Sequence, residues 1–114
     1  MARRNDDPRN PLLPGLLDML VLRTLTLGPL HGYGIARHIE QTSGDRLRIE
    51  EGSLYPALQR LLVRDWVTSR WETSSTSRRA RVYELAEAGR RQLEQEVSAY
   101  DQMVAAVAAV MQKG

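Results

Sequence analysis

A chain of 114 residues with a formal charge of +2 at pH 7 has the length of one domain and room for a modest core, some of it shared with a partner. It has no cysteine, which removes structural disulfides, thiolate metal sites and cysteine nucleophiles together and fits a cytoplasmic location. Apart from Lys113 every Lys or Arg is arginine, the side chain suited to phosphate and guanine contacts.

Residues 1–11, MARRNDDPRNP, mix both charges with prolines and carry no apolar period, so a flexible arm is expected there. Leu12 to Leu30 is apolar, but Pro14, Gly15, Asp18, Arg23, Gly28 and Pro29 interrupt it, which argues against a membrane span. Nor does the charged tail before it look like a signal peptide with a small-residue cleavage site. Leu16 to Leu27 reads instead as a core helix closed by Gly28-Pro29. A second helix is expected from about Tyr33 to Thr42, with Ile35, Ala36 and Ile39 at core spacing and Gly44 as its stop. Leu47 to Ile49 is too short for a helix and is assigned as a small strand.

GSLYPALQRLL, residues 52–62, forms the third helix, which ends near Arg64. At 100° per residue Leu54, Leu58, Leu61 and Leu62 fall within about 100°, the width of a core-facing stripe. Ser53, Pro56, Gln59, Arg60 and Val63 lie opposite. Ser53 is the expected N-cap, and Pro56 in the first turn gives up an N–H without a helical partner. Val67 to Glu72 and Arg81 to Leu85 alternate as strands, and the polar loop ETSSTSRRA joins them into a hairpin. Both tryptophans, Trp66 and Trp71, are assigned to the hairpin core. One long helix follows from about Glu87 to Gln112. Along it Leu93, Val97, Tyr100, Val104, Val107 and Met111 are spaced 4, 3, 4, 3 and 4 residues apart, the seam of a helix that pairs with another. Packing on the chain's own first helix is the plainer account of that stripe, but about 20 residues project past the domain, which favours a shared interface. Met103 and Val110 widen it.

The expected fold is therefore mainly α with a small β-hairpin: a winged helix-turn-helix over residues 12–86, followed by a dimerisation helix over residues 87–114. In such folds one helix enters the DNA major groove and a basic hairpin loop reaches the adjacent backbone or minor groove. Four segments carry a resemblance to the PadR family of bacterial transcriptional regulators: LLDMLVLRTL at 16–25, HGYGIARHI at 31–39, EGSLYPALQRLL at 51–62 and RVYELAEAGRRQL at 81–93. The pairing of HGYGI with GSLYPAL is its most specific part. The chain departs from the family pattern at Asp65, where glycine is usual, and at Ala86, where a capping threonine is usual. A frayed start to the last helix is expected from Ala86 and Gly89.

The resemblance implies a homodimer that binds double-stranded DNA, acting as a repressor at a (pseudo)palindromic operator. On this chain the DNA contacts are expected from Ser53, Tyr55, Pro56, Gln59 and Arg60 on the third helix and from Arg78 and Arg79 on the wing. Arg60 and Gln59 are suited to guanine and adenine edges, Ser53 and Tyr55 to phosphates. Arg81 is ambiguous, because alternation can turn it inward beside Tyr83. For some members the resemblance also implies a small-molecule effector pocket at the dimer interface, where Tyr100, Trp66 and Trp71 are the available stacking residues.

No enzyme is expected. Glu50 and Glu51 adjoin without a nucleophile or base. GPLHGYG at 28–34 lacks the preceding strand and the Lys-Ser/Thr of a phosphate loop. His31 and His38 have no carboxylate at ligand spacing, so neither a metal nor a cofactor is called for. The alternative function is a protein-interaction module built on the long amphipathic helix, whose winged-helix core has no DNA affinity. Such a module needs neither Arg60 nor Arg78 and Arg79.

Overall fold

The computed structural model describes residues 15–73 and 75–112; the expected arm, residues 1–11, lies outside them. The element order is α1 (Leu16–Leu25), β1 (Leu30–His31), α2 (Gly32–Thr42), α3 (Glu51–Val63), β2 (Val67–Thr73), β3 (Arg79–Leu85) and α4 (Glu87–Met111). Leu17, Val21, Leu22 and Leu25 of α1 pack with Ile35 and Ile39 of α2 and with Leu54, Ala57, Leu58 and Leu61 of α3. Full burial of a leucine stabilises by roughly 1.5–3 kcal/mol, so this three-helix cluster anchors the fold. Val67 and Tyr83 seal it from the sheet and Leu93 from α4. The core thus crosses residue 86 and takes in the first turns of α4.

The short strand lies elsewhere than expected. Residues 47–49 run without strand pairing, and Glu40 tethers them by accepting the Ile49 N–H at 2.8 Å. The strand is instead β1, between α1 and α2, where Leu30 pairs with Tyr83 and His31 with Val82. Two residues carry no legible alternation, and their partners are about fifty positions away. The sheet order is β1-β3-β2, all antiparallel, with Val67 opposite Leu85 and Thr73 opposite Arg79.

Both turns that end the middle helices use left-handed backbone. After α2, Gly44 (φ 65) and Asp45 (φ 62) both carry it, and the Asp45 N–H reaches back to the Glu40 carbonyl. After α3 the residue is Asp65 (φ 60), with Asp65 N–H donating to the Leu62 carbonyl and Trp66 N–H to that of Leu61. This bonding closes the helix and explains why glycine suits the position, since only glycine adopts the conformation without steric cost.

Two details of the helix starts differ from expectation. Ser53 is not the N-cap of α3: the helix begins at Glu51, Glu50 is the cap residue, and the Ser53 and Leu54 N–H groups both donate to the Glu50 carbonyl. Pro56 consequently sits inside the helix, where its missing N–H leaves the Gly52 carbonyl without its usual partner. At α4, Ala86 makes no side-chain cap, yet the helix is regular from Glu87, with the Ala86 N–H bonded to the Trp66 carbonyl at 3.0 Å. Gly89 is not a weak point. It is buried, and a Cβ there would overlap the Trp66 carbonyl oxygen, so glycine permits the close approach of α4 to the turn after α3.

Candidate nucleic-acid interface

The outer surface of α3 covers an arc of about 160° at 100° per residue. It runs from Tyr55 through Gln59, Gly52, Val63 and Pro56 to Arg60 and Ser53, all exposed. The two flanks of the arc are engaged within the chain and its middle is open. On one flank the Tyr55 hydroxyl lies against Gly32, so closely that a Cβ on Gly32 would come within 2.7 Å of it. On the other flank Arg60 grips Asp18 of α1, Nη2 to Oδ1 at 2.7 Å and Nε to Oδ2 at 3.3 Å. Those hydrogen bonds hold the Arg60 guanidinium above the usual arginine pKa, burial opposing them. A guanine edge must therefore compete with a two-point, charge-assisted bond to reach Arg60. Gln59, Pro56 and Ser53 face outward without such a tie among the described residues.

The hairpin has two chemically different faces. On one, Arg70 bridges Glu72 and Glu84, each at 2.9 Å, so charge is locally neutralised. On the other, Trp71 is 57% exposed, not part of the hairpin core as expected. The strand leaves the core after Ser69, so the inward alternation of Val67 and Ser69 continues into solvent at Trp71. The Arg79 guanidinium stands 4.9 Å from the Trp71 ring centre and that of Arg81 5.9 Å from it. Arg81 also donates from Nε to Ser69 Oγ at 2.9 Å, which settles its ambiguity: it lies exposed on this face, over Tyr83. Among the described residues neither Arg79 nor Arg81 has a carboxylate partner. Arg78 is exposed beside them at the turn.

This cationic face and the Tyr55 flank of α3 enclose an open groove of about 800 Å³, which also reaches His31, Gly32 and Tyr33 at the start of α2. His31 caps that helix, Nδ1 accepting the Gly34 N–H at 3.2 Å. Tyr55, Arg78 and Arg79, expected from the sequence as DNA contacts, all line this groove; the place of Trp71 in it and the tie of Arg60 to Asp18 were not expected.

The α4 stripe divides in two. Leu93, expected in a dimer seam, is 6% exposed and belongs to the chain's own core, because α1 covers that turn. Exposure then climbs through Val97, Tyr100, Val104 and Val107 to 61% at Met111, and Met103 and Val110 are exposed as well. Between α1 and α4 lies a groove of about 330 Å³ lined by Leu16, Met19, Ala99, Tyr100 and Met103. The stripe starts on the chain's own first helix and continues beyond it. No helix among the described residues is long and apolar enough to cross a membrane.

The model of the transcriptional regulator PadR-like family matches residues 21–95. An uncharacterized 37.1 kDa protein in transposon TN4556 of Streptomyces fradiae is 49% identical over 78 residues, 68% of this chain, which spans only 21% of that protein. Among solved structures, a transcriptional regulator from Clostridium thermocellum is 24% identical with a TM-score of 0.74, over 87% of this chain and 92% of that one. A PadR family transcriptional regulator from Eggerthella lenta is 24% identical with a TM-score of 0.76, over 88% of this chain and 85% of that one. Bacillus subtilis PadR in complex with operator DNA is 24% identical with a TM-score of 0.66, over 72% of this chain and 47% of that one. Those likenesses establish the fold, and the family model, covering most of the core and its motifs, establishes the kinship: this chain belongs to the PadR-like family of transcriptional regulators.

Proposed function

We propose that this regulator binds double-stranded DNA as a homodimer, with α3 in the major groove and the β2–β3 wing on the neighbouring backbone, at a (pseudo)palindromic operator. The observation that carries the reading is the adjacency of the open α3 face to a hairpin face on which Arg79 and Arg81 have no carboxylate partner among the described residues. Phosphate is the counter-charge such a surface suits. That Bacillus subtilis PadR was solved on operator DNA supports the same use here. Ser53, Pro56 and Gln59 face the bases in this reading, with Tyr55 at the flank. Arg60 contributes by holding α3 against α1, and reads a guanine only where DNA outcompetes Asp18. Arg78 and Arg79 meet phosphate.

The homodimer rests on the outer half of the α4 stripe, from Val97 to Met111, whose exposed valines and methionines gain about 25 cal/mol per Å² when covered by a second copy. A two-fold dimer requires two-fold symmetry of its site, and a bound dimer represses by occupying DNA that polymerase needs. The α1–α4 groove, bordered by Tyr100 beside that interface, is the place for a small-molecule effector. Selection of fragments from random or genomic DNA by the purified protein tests the reading. A two-fold-symmetric motif is expected, and no enrichment over input would leave the interaction-module alternative standing.

A further inference from the structure

We propose that the groove between the wing and the start of α2 seats one backbone phosphate of duplex DNA, held by Arg81 and the Tyr83 hydroxyl. The proposal rests on the DNA-binding reading and adds a site to it.

Tyr83 is the starting point. It is 4% exposed and lines the groove, yet its hydroxyl has no hydrogen-bond partner among the described residues. A buried polar group without a partner is uncommon, because forgoing water without replacement costs free energy. Burial raises its pKa, with Arg81 opposing and Tyr55 adding, so at neutral pH the hydroxyl is a donor waiting for an acceptor.

Arg81 supplies the charge. Ser69 takes its Nε–H, and the guanidinium stands over both Trp71 and Tyr83, so its plane is fixed before any ligand arrives. Its two Nη groups have no partner among the described residues. Fixing an arginine in advance removes side-chain entropy from the cost of binding. The positive end of α2 opens on the same groove at Gly32 and Tyr33, which favours an anion further. Among the described residues no carboxylate lines the groove.

The ligand is a phosphodiester rather than a free anion because the groove is open and runs into the α3 surface at Tyr55, which borders both. In the proposed docking, with α3 in the major groove, the strand flanking that groove would pass over this point.

The test uses operator duplexes, obtained by selection, that carry a single neutral methylphosphonate at each backbone position in turn. Wild-type protein should lose about tenfold or more in affinity at one position per half-site, the effect of a charged hydrogen bond. In Arg81→Gln the penalty at that position should vanish while the other penalties persist, and the slope of log affinity against log salt should fall by about 0.9 per half-site. Tyr83→Phe, which keeps the ring and so the core, should shrink the same penalty. Should Tyr83→Phe unfold, Arg81→Gln, altered at an exposed side chain, still decides. If the Arg81→Gln profile matches wild type while the operator is bound, the site is overturned and the DNA reading stands. If only inorganic phosphate distinguishes Arg81→Gln from wild type, the groove takes a small anion and the proposal fails. Wild-type protein that binds no duplex sinks both readings.

Discussion

Arg60 of α3 and Asp18 of α1, 42 residues apart, form a two-point ion pair whose carboxylate is nearly buried and whose guanidinium is half exposed. The pair joins the helix that faces outward to the helix that α4 packs on. Removing Arg60 alone strands a buried carboxylate, whereas removing both charges does not. Arg60→Ala should therefore lower stability by about 1–2 kcal/mol, allowing for screening at the exposed end, and Asp18→Asn/Arg60→Ala should recover part of that loss. Urea unfolding of the three proteins measures it. Equal stability of single and double variants would show the pair to be incidental.

Gly52 and Gly89 are both helical, and opposite outcomes are expected at them. A Cβ on Gly52 meets nothing within 4 Å, so Gly52→Ala should raise stability by about 0.5–1 kcal/mol. Its place in the middle of the open α3 arc means the same methyl should weaken DNA binding. Gly89→Ala forces α4 away from the Trp66 carbonyl and should destabilise by about 1–3 kcal/mol or more. Thermal melts beside operator titrations separate the two. Unaltered DNA affinity in Gly52→Ala would place the helix surface away from the duplex.

Val104 is about half exposed, so a charge there costs the single chain little. In the proposed interface the same charge is buried without a partner, at a cost of several kcal/mol. Val104→Glu should keep its circular dichroism, become monomeric by light scattering and bind the operator much more weakly, because two linked half-sites no longer act together. A dimeric Val104→Glu would move the interface elsewhere.

Arg78 and Arg79 lie on the wing, where phosphate contacts are expected to be independent of sequence. Arg78→Ala/Arg79→Ala should weaken operator and scrambled duplex alike and reduce the salt slope by roughly 2 per subunit. An unchanged slope across several salt concentrations would remove the wing from the interface.

Stability should fall in alkali through Tyr83. Its pKa is raised in the fold, chiefly by burial, so the unfolded chain ionises first, near the ordinary value of 10.0. The stabilising contribution is whole below that pH and is lost as pH rises toward the folded-state value. Denaturant unfolding between pH 9 and about 11 should show this decline, and Tyr83→Phe should flatten it. A decline unaffected by Tyr83→Phe would assign the alkaline sensitivity to another tyrosine.

Local periodicity carried most of the architecture. The leucine stripe of α3, the core spacing of Ile35, Ala36 and Ile39, the glycine stop at Gly44 and the alternation of the hairpin are visible within windows of a dozen residues, because burial of one face imposes a period on the chain itself. The open polar face of α3 was legible for the same reason. Tertiary structure alone decided what depends on distant partners: that Leu30 and His31 pair with β3, that Asp18 takes Arg60, and that Trp71 lies beyond the edge of the core. It also decided where the α4 stripe stops serving its own chain, since Leu93 and Met111 obey one heptad rule and only the reach of α1 makes one buried and the other exposed. A periodic pattern states which side of a helix is apolar; what covers that side is a property of the packed chain.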